Sequence, residues 1–178
     1  RRLPEWSEHA PPPPPASYPV DPEEARHRLA QLLDETSEPR PSQADYASAT
    51  SGAFRPRNVE GEPNFVLAEA GTGVGKTLGY IAPASVWAEK NEAPVWLSTY
   101  TRNLQHQIDQ ELDRLYPDPS LKARRVVVRK GRENYLCLLN MEEALRGVGT
   151  NRHDAIALDL MARWAARTRD GDLTGGDF

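Results

Sequence analysis

The chain has 178 residues, with 26 acidic against 22 basic side chains and a formal net charge of −4. That length supports one domain with a core and an appendage, and the acidic balance excludes a global basic field for nucleic acid. The single cysteine, Cys137, excludes an internal disulfide framework and fits a reducing cytoplasm, where the protein is expected. No apolar run approaches the ~18–20 residues that cross a bilayer. No apolar stretch follows Arg1-Arg2-Leu3-Pro4, so no signal peptide is expected. The lack of an initiator methionine and the ending Gly175-Gly176-Asp177-Phe178 suggest a piece of a longer protein.

In chain order, residues 1–20 carry Pro11 to Pro15 and read as an extended, solvated proline-rich linker, or alternatively as a docking site for a proline-binding domain. Asp21-Pro22-Glu23-Glu24 predicts a helix start, with an Asp cap and Pro in the first turn; the helix, 21–36, puts Ala25, Leu29, Leu32 and Leu33 on one face. A second helix is expected from Arg40-Pro41-Ser42-Gln43 to about Phe54, followed by a polar loop from Arg55 to Pro63. Phe65-Val66-Leu67-Ala68 lies in a predicted strand over 64–69. A helix is then expected from Lys76 to about Lys90, with Pro83 kinking it or ending its first part. Pro94-Val95-Trp96-Leu97-Ser98 reads as a second strand, and Leu104, Ile108, Leu112 and Leu115 recur at helical spacing after it. Val126-Val127-Val128 predicts a third strand, and helical segments follow near 136–146 and 153–168. Strands alternating with helices at short spacing predict a parallel α/β fold with right-handed crossovers.

Between the first predicted strand and its helix stands Ala70-Gly71-Thr72-Gly73-Val74-Gly75-Lys76-Thr77. Glycines let backbone amides converge on anionic oxygens, and the following helix adds its N-terminal dipole and free N–H groups. In such a phosphate-binding loop Lys76 reaches the β- and γ-phosphates and the Thr77 hydroxyl ligates Mg²⁺. Ala70 departs from the full pattern, which wants glycine there. The alternative is a glycine-rich turn with a surface lysine.

Two later segments admit two readings each. Leu97-Ser98-Thr99-Tyr100-Thr101-Arg102-Asn103-Leu104-Gln105 offers hydroxyls that suit phosphate oxygens, or simply a helix cap with Leu104 in the core. Arg129-Lys130-Gly131-Arg132-Glu133-Asn134-Tyr135-Leu136-Cys137, with Lys122, Arg124 and Arg125, is basic beside an aromatic. That suits a single-stranded nucleic acid, or it is an ordinary solvated charge run. Cys137 is a ligand or a small buried hydrophobe.

Glu69 to Thr77, Ser98 to Gln105 and Gly131 to Cys137, in that order, resemble the N-terminal part of DinG/XPD-type superfamily 2 DNA helicases, the iron–sulfur helicase family. The resemblance runs from about Arg40 to Cys137 and makes Ala70 an ordinary variant of the helicase loop. It implies a RecA-like P-loop NTPase core with a parallel sheet over 37–130, then the helical start of an iron–sulfur or arch insertion over 131–178. It implies that ATP binds at residues 70–77, that Arg40 and Gln43 form a Q-type motif in which the glutamine reads the adenine edge, and that Lys76 and Thr77 serve catalysis. It also implies single-stranded DNA contacts at Thr99, Thr101, Leu104 and Gln105, and makes Cys137 the first of four ligands to a [4Fe–4S] cluster. Further partners would be the remainder of the parent chain, including a second RecA-like domain. The other three cysteines and an Asp-Glu-x-His tetrapeptide are not in this sequence. Other readings of the loop are a small-molecule kinase, a GTPase switch or a non-catalytic nucleotide-binding module.

Overall fold

The computed structural model describes residues 17–33, 40–56, 61–147 and 152–174. The proline tract at 11–15 and the end of the first predicted helix lie outside them. The chain divides into two compact units, with the boundary between Arg125 and Val126.

The first unit is built on helices. α1 (Pro22–Leu32) begins at Asp21, whose backbone N–H donates to the Glu24 carboxylate at 2.9 Å, half of the reciprocal arrangement that caps a helix start. α2 (Pro41–Thr50) runs into a 3₁₀ turn at Ser51–Phe54, and α3 (Lys76–Asn91) is the longest helix of the unit. Helix α4 (Arg102–Leu115) and the short α5 (Pro119–Arg125) complete it. Leu29 and Leu32 of α1, Ala47 of α2, Leu78, Ile81 and Ala82 of α3, and Ile108 of α4 form one buried cluster, with Leu33, Tyr80, Leu112 and Leu115 packed at its edge. A smaller cluster joins Val20, Ala25 and Val86 to Phe54 and Trp87, whose rings are 6.1 Å apart. Ion pairs lace the outside: Arg28 grips Glu89 with both terminal nitrogens at 2.9 and 2.6 Å, and Lys90 meets Glu24 at 2.9 Å.

The predicted parallel sheet is absent. Among the described residues there is no strand, and segments 64–69, 94–98 and 126–128 run as irregular backbone without a ladder partner. Phe65 is 83% exposed, Leu67 100% and Trp96 83%, while Val66, Ala68, Val95 and Val126 are half-buried, so none of the apolar residues that suggested buried strands is in the core. The physical reason is that a strand exists only by pairing: its N–H and C=O groups need a neighbour, and its apolar face needs a second layer. A helix satisfies its backbone internally and needs only a facing helix. Here the helices supply the core, and the RecA-like parallel α/β expectation is wrong for this structure.

Pro83 does not end the first part of its helix. α3 continues through it without a break. Proline carries no N–H, so the Gly79 carbonyl one turn earlier loses its helical partner. The Thr50 hydroxyl lies 3.3 Å from that carbonyl, sharing its proton with the Tyr46 and Ala47 carbonyls at 3.0 and 3.1 Å. Pro83 itself is among the most deeply buried residues. Packing thus offsets the missing bond.

In the second unit a 3₁₀ turn (Arg132–Asn134) leads into α6 (Leu138–Arg146) and α7 (Arg152–Ala165). A small clip closes the unit: Leu136 N–H donates to Gly171 at 2.9 Å and Leu173 N–H to Asn134 at 2.8 Å, around an antiparallel bridge of Tyr135 with Asp172. The buried Asp172 carboxylate takes a hydrogen-bonded ion pair from Lys130, whose ammonium also reaches Thr174 Oγ1 at 3.0 Å.

Candidate functional site

The glycine loop reaches its helix through two left-handed residues, Gly73 (φ 80°) and Gly75 (φ 85°). Those values cost an L-residue about 1–2 kcal/mol, which is why glycine stands at both. Gly75 is the residue from which α3 springs, so the first N–H groups of that helix emerge at the loop, with the positive end of the helix dipole. Its carbonyl accepts from Gly79 N–H at 3.2 Å, which starts the helical ladder.

Lys76 folds back over the loop. Its Nζ donates to the carbonyls of Ala70 and Gly71, each at 2.8 Å. One cation therefore bridges the start of the loop, while the backbone ahead of it stays exposed at residues 71–73. Thr77 sits in the first turn of α3, half-buried, one turn before Tyr80. Burial of Tyr80 pushes its phenol above the usual range, and the neighbouring Thr77 hydroxyl only partly opposes this.

Helix α2 supplies the second side of the site. Arg40 Nη1 donates to the Gly73 carbonyl at 2.9 Å, and Gln43 Nε2 donates to the Gly75 carbonyl at 2.9 Å. Gln43 is only 3% exposed. A Cβ on Gly75 would run into its amide. One turn further, a Cβ on Gly79 would stand 2.7 Å from the Tyr46 ring. So α2 and α3 approach closely at two glycines, and the loop is held where they meet.

The residues expected to touch DNA gather at the start of α4. Thr101 is the N-cap: its Oγ1 accepts from Leu104 N–H at 3.2 Å, and its carbonyl accepts from Gln105 N–H at 3.0 Å. Leu104 is exposed rather than in the core, Gln105 is half-buried, and Thr99 Oγ1 is buried without a hydrogen-bond partner. Cys137 lies in the second unit, exposed, immediately before α6. No group of three or more His, Cys, Asp or Glu side chains converges as a metal site among the described residues. A [4Fe–4S] cluster needs about four thiolates, and one exposed cysteine does not fit it. An open groove beside Gly52, Arg55 and Phe65 contains no residue of the glycine loop.

Sequence comparison then decides the family. No protein-family model matches the chain, and no solved structure matches it. Curated relatives do. The chain is similar to ATP-dependent DNA helicase YoaA of Escherichia coli (36% identity over 140 residues, 76% of this chain and 20% of that protein). It is similar to ATP-dependent helicase DinG of Mycobacterium tuberculosis H37Ra (32% over 151 residues, 75% of this chain and 22% of that protein). It also resembles 3′-5′ exonuclease DinG of Bacillus subtilis (35% over 111 residues, 60% of this chain and 12% of that protein). The chain belongs to the DinG-type helicase family. This DinG-type chain spans about a fifth or less of the length of these relatives. Among its described residues no helix is long and apolar enough to cross a membrane.

Sequence reasoning found the glycine loop but missed what grips it. It expected Gln43 at an adenine edge and did not foresee that its Nε2 donates to the Gly75 carbonyl. It left Tyr80 unremarked beside Thr77, and the Lys130–Asp172 pair as well. The Asn-Tyr-Leu and Gly-Asp-Leu segments that form the clip carry no local signal of each other.

Proposed function

We propose that the chain is the nucleotide-binding part of an ATP-dependent DNA helicase, which in its full length couples ATP hydrolysis to 5′→3′ unwinding from single-stranded DNA. The observation that carries this reading is the loop at 70–77, with its two left-handed glycines and Lys76 at the head of a 16-residue helix, in a chain of a helicase family. Triphosphate binding asks for convergent amides, a cation and a helix N-terminus, and the loop offers all three. In this reading Lys76 exchanges its carbonyl contacts at Ala70 and Gly71 for the β- and γ-phosphate oxygens. The exchange keeps its charge solvated by oxygen throughout, so the incoming phosphate does not meet a dehydrated ammonium.

Thr77 would give Mg²⁺ one hydroxyl oxygen, the phosphates and water supplying the others. Mg²⁺ would neutralise the charge that develops on the terminal phosphate. Thr99, Thr101, Leu104 and Gln105 would follow the backbone of single-stranded DNA at the start of α4, where the positive end of that helix's dipole adds to the hydroxyls. Hydrolysis would draw on residues of the full-length protein, because this sequence holds no Asp-Glu-x-His tetrapeptide. The chain by itself is therefore expected to bind ATP without appreciable turnover.

The test is ATP hydrolysis by the full-length protein with and without single-stranded DNA. Strong stimulation by DNA is the expected result. No stimulation, together with phosphate transfer to a small metabolite, would favour a P-loop kinase and sink the helicase reading.

A further inference from the structure

We propose that Tyr100 is a stacking platform for a base of single-stranded DNA at the start of α4. This deepens the DNA reading above and rests on it. Tyr100 stands directly ahead of the N-cap Thr101 and is 100% exposed. An apolar side chain in that position commonly packs on the fourth residue of the helix and so fixes the angle at which the chain enters. Here the fourth residue is Gln105, and a ring exposed to that extent covers none of its neighbours. The ring is therefore no part of the packing that holds the fold.

The groups around it match the two halves of a nucleotide. The Thr101 hydroxyl accepts from Leu104 N–H and keeps its own proton for a phosphate oxygen. The Gln105 amide can donate to the same path, and the exposed Arg102 adds a cation. Leu104, 44% exposed, carries no polar side-chain atom and can meet only a sugar or a base. Over residues 99–105 the Tyr100 ring is the one flat apolar surface.

A flat ring in water is best covered by another flat ring. Stacking removes two faces from water at once, and it tolerates any sequence because every base has a π-face. A tyrosine gives up only two side-chain torsions when it is fixed, so little of the gain is lost to ordering. Phosphate contacts bind through released counterions and weaken steeply with salt. A stacked base adds a contribution outside that salt dependence. It also requires that the strand carry bases, which a phosphate contact does not.

The experiment measures binding of the full chain, and of its Tyr100→Ala and Tyr100→Phe variants, to oligothymidylate and to an abasic strand of the same length, over a range of salt. Because the ring covers nothing, both variants should keep the helical content of the unaltered chain. The expected result is a loss of about fivefold or more for Tyr100→Ala on oligothymidylate, as for one lost stacked base. Tyr100→Phe keeps the ring face and should bind as the unaltered chain does, and neither variant should change affinity for the abasic strand. The salt dependence of Tyr100→Ala should also be unchanged, because no phosphate contact is removed. Equal affinity of Tyr100→Ala and the unaltered chain for oligothymidylate would overturn the platform. An equal loss on the abasic strand, or a loss in Tyr100→Phe as large as in Tyr100→Ala, would overturn it in favour of a hydroxyl on the DNA backbone. In each of these cases the unaltered chain still binds DNA and the reading above stands. If the unaltered chain binds neither strand, the DNA reading itself fails and takes the platform with it.

Discussion

The glycine loop has two flanks of similar composition and opposite fate. On its C-terminal side, α3 buries Leu78, Ile81 and Ala82 against α1, α2 and α4. On its N-terminal side, Phe65 and Leu67 of segment 64–69 stand in solvent with no ladder beside them. Apolar content therefore does not decide burial; the availability of a partner does. A helix carries its own backbone bonds and found three helices to pack on, while the extended segment found no strand to pair with and only partial cover, with Val66 set against Gly52. The loop is consequently built from its helical side, by the start of α3 and the first turn of α2.

The largest test of that contrast compares one core residue with one bare one. Ile81, 1% exposed, should cost about 2–5 kcal/mol of stability on Ile81→Ala, through lost burial and the cavity left behind. Leu67→Ala at a fully exposed site should change stability by no more than about 0.5 kcal/mol. Chemical denaturation of both variants measures the difference. Equal losses would mean that segment 64–69 is covered after all.

Next in size is Gly75→Ala, which forces an L-residue to φ 85° and drives a methyl into the Gln43 amide. A loss of about 1–2 kcal/mol is expected from the backbone alone, and Gly71→Ala, whose Cβ meets nothing within 4 Å, should leave stability nearly unchanged. Thermal unfolding of the pair sharpens the claim that the α2–α3 approach sets the loop's shape.

The smallest effect lies in the second unit, where a polar pair rather than an apolar face closes the structure. Burial pushes the Asp172 carboxyl up, but the Lys130 ammonium and the Thr174 N–H and hydroxyl outweigh it and hold it below the usual carboxylate range. A depressed carboxyl adds stability that is fully present above its unfolded value, about 3.9, and is lost as pH falls through the lower folded value. The clip should therefore hold from neutrality down to about pH 4 and loosen below it. The exchange rates of the Leu136 and Leu173 amides, both hydrogen-bonded across the clip, report this. In Lys130→Met the loosening should begin at higher pH.

How much of this was legible in the sequence follows from the range of each interaction. The start of α1 at Asp21-Pro22 is local chemistry, readable within four residues, and so is a cap ahead of α4, though Ser98, Thr99 and Thr101 were equal candidates for it and the structure uses Thr101. So is the need for glycine at 73 and 75, since a left-handed turn is a property of one residue. The missing sheet was not readable. Val126-Val127-Val128 and Phe65-Val66-Leu67 have strand composition, but pairing depends on segments far away in the chain. Gln43 contacts a carbonyl 32 positions on, and Lys130 a carboxylate 42 positions on. No periodicity announces either. That the helix runs on past Pro83 was hidden for the same reason, because Thr50, beside the Gly79 carbonyl, is contributed by another helix.

The central claim is that the loop at 70–77, ordered by α2 and α3, is a triphosphate site whose essential charge is Lys76. Titration of a fluorescent ATP analogue into the chain and into Lys76→Ala tests it most directly. The account predicts saturable binding to the first and none to the second, with unchanged helical content in both. Unchanged binding to Lys76→Ala would contradict it.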